Sequence, residues 1–316
     1  MIKPVTRVAF VDYVFEDREK IQLEGCEISI HPPLRSADEI VAAAADADVL
    51  CMRDQFGKVT RKVLERLPNL KLIVTRSVGY DHIDLAEAKQ RGVAVCNVPD
   101  YGAHMIAEQA FGLLLAVARN IVRGHNRYAQ DHLFSDQGLQ GLELYGKTLG
   151  VIGTGRIGLH SIRLAKGFGM QVVAFDVYAN EAAAEEMGFR YESLEEVLAH
   201  SHAVSLHVSL NEATHHLINA ERLALMRQGA ILVNTSRGPV VDTDALIAAL
   251  RSGHLSGAGL DVLEDERDRY HDFSGLNVVV TPHLGWYTDG AVHRILEIAL
   301  GNIAAFQRGE PVNRLA

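Results

Sequence analysis

Cysteine is scarce: Cys26, Cys51 and Cys96 are an odd number at wide spacing, with no CxxC pair. That speaks against a disulfide framework and supplies no thiolate set for zinc. Cys51 and Cys96 lie within strand-like runs and read as small buried thiols. No run of Lys and Arg offsets a formal charge of -9, so a surface that tracks nucleic-acid phosphates is not expected. No uninterrupted apolar stretch approaches membrane-spanning length, and the first twelve residues carry no apolar core of a signal peptide. The expected compartment is the cytoplasm, with no membrane partner.

What is present is ordinary globular composition, 48% hydrophobic and 22% charged over 316 residues, enough for two cores. Short β-branched runs alternate with Ala- and Leu-rich helical stretches, the pattern of a parallel sheet covered by helices, so the class is α/β. In the first third the spacing predicts strands at 7–11, 49–52, 72–75 and 93–96, with helices at 37–44, 60–67 and 85–91. Residues 103–120 are apolar on nearly every face and read as a long buried helix. After a polar stretch, 124–146, strands are predicted at 149–152, 171–175, 203–206, 230–234, 257–260 and 277–280. A last helical pattern, 289–306, has no strand left to pair and is expected to pack back on the first domain. The expected organisation is therefore two doubly wound parallel-sheet domains, one inserted in the other: residues 1–101 with 287–316, and residues 102–286.

Strand 149–152 runs directly into Gly153-Thr154-Gly155-Arg156-Ile157-Gly158 and then a helical stretch. This is the context that a dinucleotide fingerprint requires, with glycines for the tight turn, the approach of pyrophosphate and close helix packing. The next strand ends at Asp176, where a carboxylate accepts hydrogen bonds from ribose hydroxyls and repels a 2′-phosphate. No basic residue follows it directly, so NAD is expected over NADP.

Three later predicted strands end in polar segments carrying Arg237, the acids Glu264, Asp265 and Glu266, and His283. In a doubly wound sheet such carboxyl ends line the ligand crevice. An arginine fork suits a carboxylate and a carbonyl, a histidine delivers a proton near neutral pH, and an adjacent carboxylate holds the imidazolium. That set suits hydride chemistry on a 2-oxo acid.

The segments SVGYDHID (77–84), GVAVCNVPDYGAHMIAEQAFGLLL (92–115), YGKTLGVIGTGRIG (145–158), VNTSRGPVVDTDAL (233–246), GLDVLEDE (259–266) and TPHLGWYT (281–288) resemble the D-isomer-specific 2-hydroxyacid dehydrogenase family. The resemblance implies a Rossmann NAD domain inserted in a flavodoxin-like substrate domain. It implies Arg237 as substrate binder, His283 as general acid and base, and Glu266 as its partner. It further implies Asp261 at the nicotinamide carboxamide, Thr235 and His207 along the cofactor, and the Val78-Gly79 turn at the substrate carboxylate. Tyr101, the run Glu266-Arg267-Asp268 and the pair Trp286-Tyr287 look like the D-lactate dehydrogenase branch, which makes pyruvate and D-lactate the leading pair. Phe56, Tyr101 and Trp286 would then shape the pocket around the C3 group, with core packing an equal alternative for each.

The chain departs from the family at Arg267, where a proline is common, which puts substrate range in question. Hydroxypyruvate, phosphohydroxypyruvate, a bulkier 2-oxo acid and an NAD-sensing, corepressor-like role are the other readings. Arg53, Lys58 and Arg76 are the cations that a phosphorylated substrate would use. The resemblance also implies a homodimer paired through the cofactor domain, with residues 103–146 as the contact region.

Overall fold

The computed structural model describes residues 6–11, 21–53, 57–264 and 270–316. The chain divides into two compact units, Met1–Tyr101 with Asp289–Ala316, and Gly102–Thr288. The change of unit falls two residues beyond the expected 286/287 boundary. Local bonds keep those residues with the second unit: Tyr287 N–H donates to Leu284 O, and the Thr288 hydroxyl contacts Met105 Sδ at 3.3 Å.

The first unit contains β1 (Thr6–Val11), β2 (Cys26–His31), α1 (Ala37–Ala44), β3 (Val49–Met52), α2 (Arg61–Leu64), β4 (Leu72–Thr75), α3 (Leu85–Gln90) and β5 (Ala94–Cys96). All pairings are parallel, in the order β2-β1-β3-β4-β5, the flavodoxin-like winding. Every residue of β3 and β4 is buried, which is why both stand out as continuous apolar runs. β2 was not foreseen from sequence. It is an edge strand with no fully buried residue, so Glu27, Ser29 and His31 interrupt its apolar pattern.

The second unit opens with α4 (Ala103–Ala118) and α5 (Ile121–Asp131). It continues through β6 (Thr148–Ile152), α6 (Arg156–Gly167), β7 (Gln171–Phe175), α7 (Glu181–Met187), β8 (Arg190–Tyr191), α8 (Leu194–His200) and β9 (Ala203–Leu206). It ends with α9 (Ala220–Leu225), β10 (Ala230–Asn234), α10 (Thr243–Arg251), β11 (Leu255–Leu260) and β12 (Val278–Val280). Its parallel sheet has the order β12-β11-β10-β9-β6-β7-β8, so the winding reverses between β6 and β9, as in a Rossmann fold. α4 is the expected buried helix, with Met105, Ala107, Ala110, Phe111, Leu113, Leu114, Val117 and Ala118 in the core. α5 reaches into the polar stretch 124–146, for which the sequence predicted no element, and buries none of its residues. No single described helix is long and apolar enough to cross a membrane.

The chain returns to the first unit as α11 (Asp289–Gln307). The residues after it bond to β5: Leu315 N–H donates to Val95 O at 2.7 Å, Val95 N–H to Ala316 O, and Asn97 N–H to Asn313 O. Asn302, fully buried on α11, donates to Asn97 O and accepts from the Asn313 side chain, fixing helix, strand end and tail together.

Candidate active site

Because all seven strands of the second unit run parallel, their carboxyl ends share one edge. Along it stand, in spatial order, His283 after β12, Asp261 after β11, Thr235 and Arg237 after β10, His207 after β9, Gly153 after β6 and Asp176 after β7. Backbone bonds tie neighbouring ends: Gly153 N–H to Phe175 O, His207 N–H to Ile152 O, Asp261 N–H to Asn234 O and Thr281 N–H to Leu260 O, all at 2.8–2.9 Å. The reversal between β6 and β9 places the Gly153 loop at the point where ligands of such sheets bind.

Two glycines of that loop are dictated by space. Gly153 has φ +93° and its would-be Cβ lies 2.6 Å from His207 O, while a Cβ on Gly158 would lie 2.0 Å from Gly153 O. At Gly155 a Cβ would meet no protein atom within 4 Å, so the chain passes an open cradle there. α6 begins on Gly155 with no side-chain cap, whereas α7, α8, α9 and α10 are capped by Asn180, Ser193, Asn219 and Asp242. Uncapped N–H groups, the helix dipole and the cradle fit a pyrophosphate. Arg156 and Ile157 form the first turn of α6.

Asp176 is tied into this loop. Its Oδ2 accepts from Thr154 N–H at 2.6 Å and from the Thr154 hydroxyl at 3.1 Å, and its Oδ1 accepts from Tyr178 N–H at 2.9 Å. Tyr191 OH lies 2.8 Å from Thr154 Oγ1 and accepts from Asn180 N–H, so its proton is free to be donated to the threonine. Tyr191 was not singled out from sequence, since its strand is only two residues long. As a prediction, Asp176→Ala lowers the ratio of kcat/KM with NADH to that with NADPH by about tenfold or more, because a charge-assisted acceptor for ribose and a repulsion of phosphate are both lost. An unchanged ratio would remove Asp176 from cofactor selection.

Two more polar groups stand on the same edge. His207 Nε2 is hydrogen-bonded to Ser205 Oγ at 2.9 Å, and burial pushes its imidazole down to about 4, so it is neutral at physiological pH. His207 Nδ1 and Thr235 Oγ1 are buried and find no hydrogen-bond partner among the described residues. Buried polar atoms without partners are costly, and a ligand with donors and acceptors is a natural complement to them.

Arg237 stands on a turn built by Asn234. Asn234 Oδ1 accepts from Ser236 N–H and Oγ–H, and its Nδ2 donates to Arg237 O. The half-buried guanidinium itself donates to Ser236 O at 3.0 Å. His283 lies on a second turn, in the left-handed region at φ +54°. Asp261, 2% exposed, holds that turn: Oδ1 accepts from the Thr281 hydroxyl at 2.5 Å and Leu284 N–H at 2.8 Å, Oδ2 accepts from Gly285 N–H at 2.9 Å, and its carbonyl accepts from His283 N–H. Gln109 of α4 donates to Thr281 Oγ1 at 3.0 Å and reaches Asp261 Oδ1 at 3.5 Å. Gln109 and Thr281 were not singled out from sequence; the available signal was Gln109 among the few polar residues of a largely apolar helix.

Trp286 is 8% exposed with its ring 4.9 Å from that of Tyr287. In the first unit, Tyr101 is 5% exposed and its carbonyl accepts from Arg294 Nε at 2.6 Å. The Val78-Gly79 turn follows β4. Val78 O accepts from Asn97 Nδ2 and Gly79 O from the Ser77 hydroxyl. In a trans peptide C=O and N–H point opposite ways, so Gly79 N–H is turned away from Asn97. Glu266 and Phe56 lie outside the described residues.

A family model described as D-isomer specific 2-hydroxyacid dehydrogenase, NAD binding domain, matches residues 111–285. Among relatives, the glyoxylate reductase of Pyrococcus horikoshii is 41% identical over 307 residues, covering 94% of this chain and 89% of the relative. The D-3-phosphoglycerate dehydrogenase of Methanocaldococcus jannaschii is 38% identical over 97% of this chain, which spans 58% of that longer protein. Among solved structures, D-lactate dehydrogenase from Aquifex aeolicus complexed with NAD and lactic acid superposes with a TM-score of 0.89 at 36% identity, over 96% of both chains. The chain belongs to the D-isomer-specific 2-hydroxyacid dehydrogenase family of oxidoreductases, and its cofactor is NAD.

Proposed function

We propose that the protein moves a hydride between NADH and a small unphosphorylated 2-oxo acid, with pyruvate and D-lactate as the leading pair. The reading rests above all on the edge of the second sheet, where Arg237 and His283 stand on one side of the switch point and Asp176 on the other. NADH, when bound, supplies the hydride. Gly153, Thr154, Gly155, Arg156, Ile157 and Gly158 would hold its pyrophosphate, Asp176 a ribose, and Thr235 and His207 the stretch between. The remaining lone pair of Asp261 Oδ2 would accept from the carboxamide.

Arg237 grips the substrate carboxylate and polarises the 2-oxo group, because a guanidinium offers paired donors to both. His283 delivers a proton to the carbonyl oxygen as negative charge develops there, and takes it back in the oxidation. Glu266 is its proposed partner. The other unit is the proposed substrate-binding domain, with Val78 and Gly79 presenting N–H groups to the carboxylate. The substrate contacts proposed for Phe56, Tyr101 and Trp286 rest on the sequence resemblance.

Arg76 argues against a phosphorylated substrate. It is 1% exposed, lies 4.6 Å over the Phe10 ring and donates to Val11 O, so its charge serves the core of the first unit. Glyoxylate is the second reading, favoured by the name of the Pyrococcus horikoshii relative. It lacks a C3 group, so the two readings separate cleanly. The test is NADH oxidation against pyruvate, glyoxylate, hydroxypyruvate, 2-oxoisocaproate, phenylpyruvate and phosphohydroxypyruvate, each repeated with NADPH. The highest kcat/KM with pyruvate is expected. A higher value with glyoxylate selects the second reading, and a maximum with phosphohydroxypyruvate, or no turnover of any, rejects both.

We also propose a homodimer formed through the NAD-binding unit. Ile121, Val122, Tyr128, Leu133 and Phe134 are exposed within one short segment, Phe134 to 94%, and α5 buries nothing within its own chain. So dense an apolar patch favours a partner surface. Light scattering is expected to give twice the 34.6 kDa chain mass, and Phe134→Asp to shift it toward one chain. A wild-type protein that is monomeric at micromolar concentration would reject the dimer.

A further inference from the structure

Outside the edge described above, the second unit brings three metal-ligating side chains together. His215 and His216 follow one another in the connection between β9 and α9, with their rings stacked at 4.2 Å and 28°. His216 Nε2 lies 2.8 Å from Glu264 Oε1, and one ligand atom from each of the three residues falls within 4.8 Å of the others. His215 is exposed and the other two are half-buried, so the cluster is open to ions from solvent.

Its electrostatics suit a cation. Burial alone would raise the Glu264 carboxyl, but hydrogen bonds from His216 and from the Thr243 hydroxyl and N–H outweigh it and hold the group below the usual carboxylate range. The backbone holds the site from three sides. His215 N–H donates to Asn211 O, and His216, at φ +48°, donates its N–H to Pro239 O. On the third side the Leu263-Glu264 peptide lies so close to Gly238 that a Cβ there would stand 2.0 Å from Leu263 C.

We infer that His215, His216 and Glu264 form a binding site for a borderline divalent transition ion of the zinc class. Two imidazoles and one carboxylate are the donor set that such ions prefer over magnesium or calcium, with water completing the shell. Tetrahedral bonds of about 2.0–2.1 Å put ligand atoms about 3.3 Å apart, so small side-chain rotations suffice. The cysteine count speaks against a thiolate site and leaves this one untouched. The ion would join the 215–216 segment to Glu264, which lies two residues before Glu266 in the chain. It therefore ties down Glu264, the last described residue before the proposed partner of His283.

The test uses untagged full-length protein stripped by a chelator and then titrated with zinc chloride against a chromophoric competitor, with cobalt(II) absorption as a second readout. One equivalent is expected to bind to the wild type. His215→Ala, an exposed change that leaves ion-free NADH turnover intact, is expected to weaken that equivalent by tenfold or more. His200→Ala, which breaks a two-residue His–Glu contact elsewhere, is expected to leave it unchanged. Zinc should also raise the thermal midpoint of the wild type and not of His215→Ala. Equal affinity in wild type and His215→Ala, or no stoichiometric binding, would overturn the assignment.

Discussion

Replacing His283 by alanine is expected to lower kcat by about 10²–10⁴-fold while NADH still binds with wild-type affinity. The separation follows from where the residue stands. His283 lies beyond β12, at the far end of the sheet edge from the Gly153 loop and Asp176, which are proposed to hold the pyrophosphate and ribose. Losing the imidazole removes the proposed proton donor for the forming alkoxide and leaves the cradle at Gly155 untouched. NADH fluorescence titration and steady-state turnover on one preparation would test it. Wild-type turnover in His283→Ala would sink the mechanism, and a parallel loss of NADH affinity would make the residue part of the cofactor site instead.

The second large effect is expected at a residue that does no chemistry of its own in this scheme. Asp261→Ala removes the acceptor for Thr281 Oγ1–H, Leu284 N–H and Gly285 N–H in a position only 2% exposed. Buried donors left without acceptors cost about 1–3 kcal/mol each, so a total loss of roughly 3–5 kcal/mol is expected. At about 2–4 °C per kcal/mol for a unit of this size, the thermal midpoint falls by roughly 6–20 °C. His283 is held at φ +54° by this turn, and kcat should fall with stability even in the fraction that remains folded. Asp261→Asn keeps one oxygen and should recover part of the midpoint. A variant Asp261→Ala with wild-type midpoint and wild-type kcat would refute the clamp.

Much of this could be read from the sequence, for a physical reason. β3, β4, β9 and β10 are buried along their whole length, so apart from Thr75, Ser205 and Asn234 their residues are apolar and the runs stand out. The Gly153 loop was legible because its constraints are local: a left-handed turn, an open cradle and a packing contact fall within six consecutive positions. What escaped depends on partners distant in the chain or on faces left half-wet. β2 is an exposed edge, and α5 has a polar composition with Gly124 in its middle and no core to face within the chain. Gln109 and Asp261 are 152 residues apart, and neither residue type announces the other. Tyr191 works through Thr154 on Asp176, a relay that no local pattern encodes.

The tail that lies along β5 has a consequence for biosynthesis. The second unit is one continuous stretch, Gly102–Thr288, and all its strands have been synthesised before α11 begins. The first unit is made earlier in its greater part, yet β5 lies at the margin of its sheet, and the backbone partners of Val95 and Asn97 are Asn313, Leu315 and Ala316. During translation that margin stays open while more than two hundred residues are added, and an open strand margin is a template for pairing with other chains. The inserted unit is thus free to fold first, and the unit begun before it is the later one to close. Nascent chains stalled before residue 313 should be the form most dependent on chaperones.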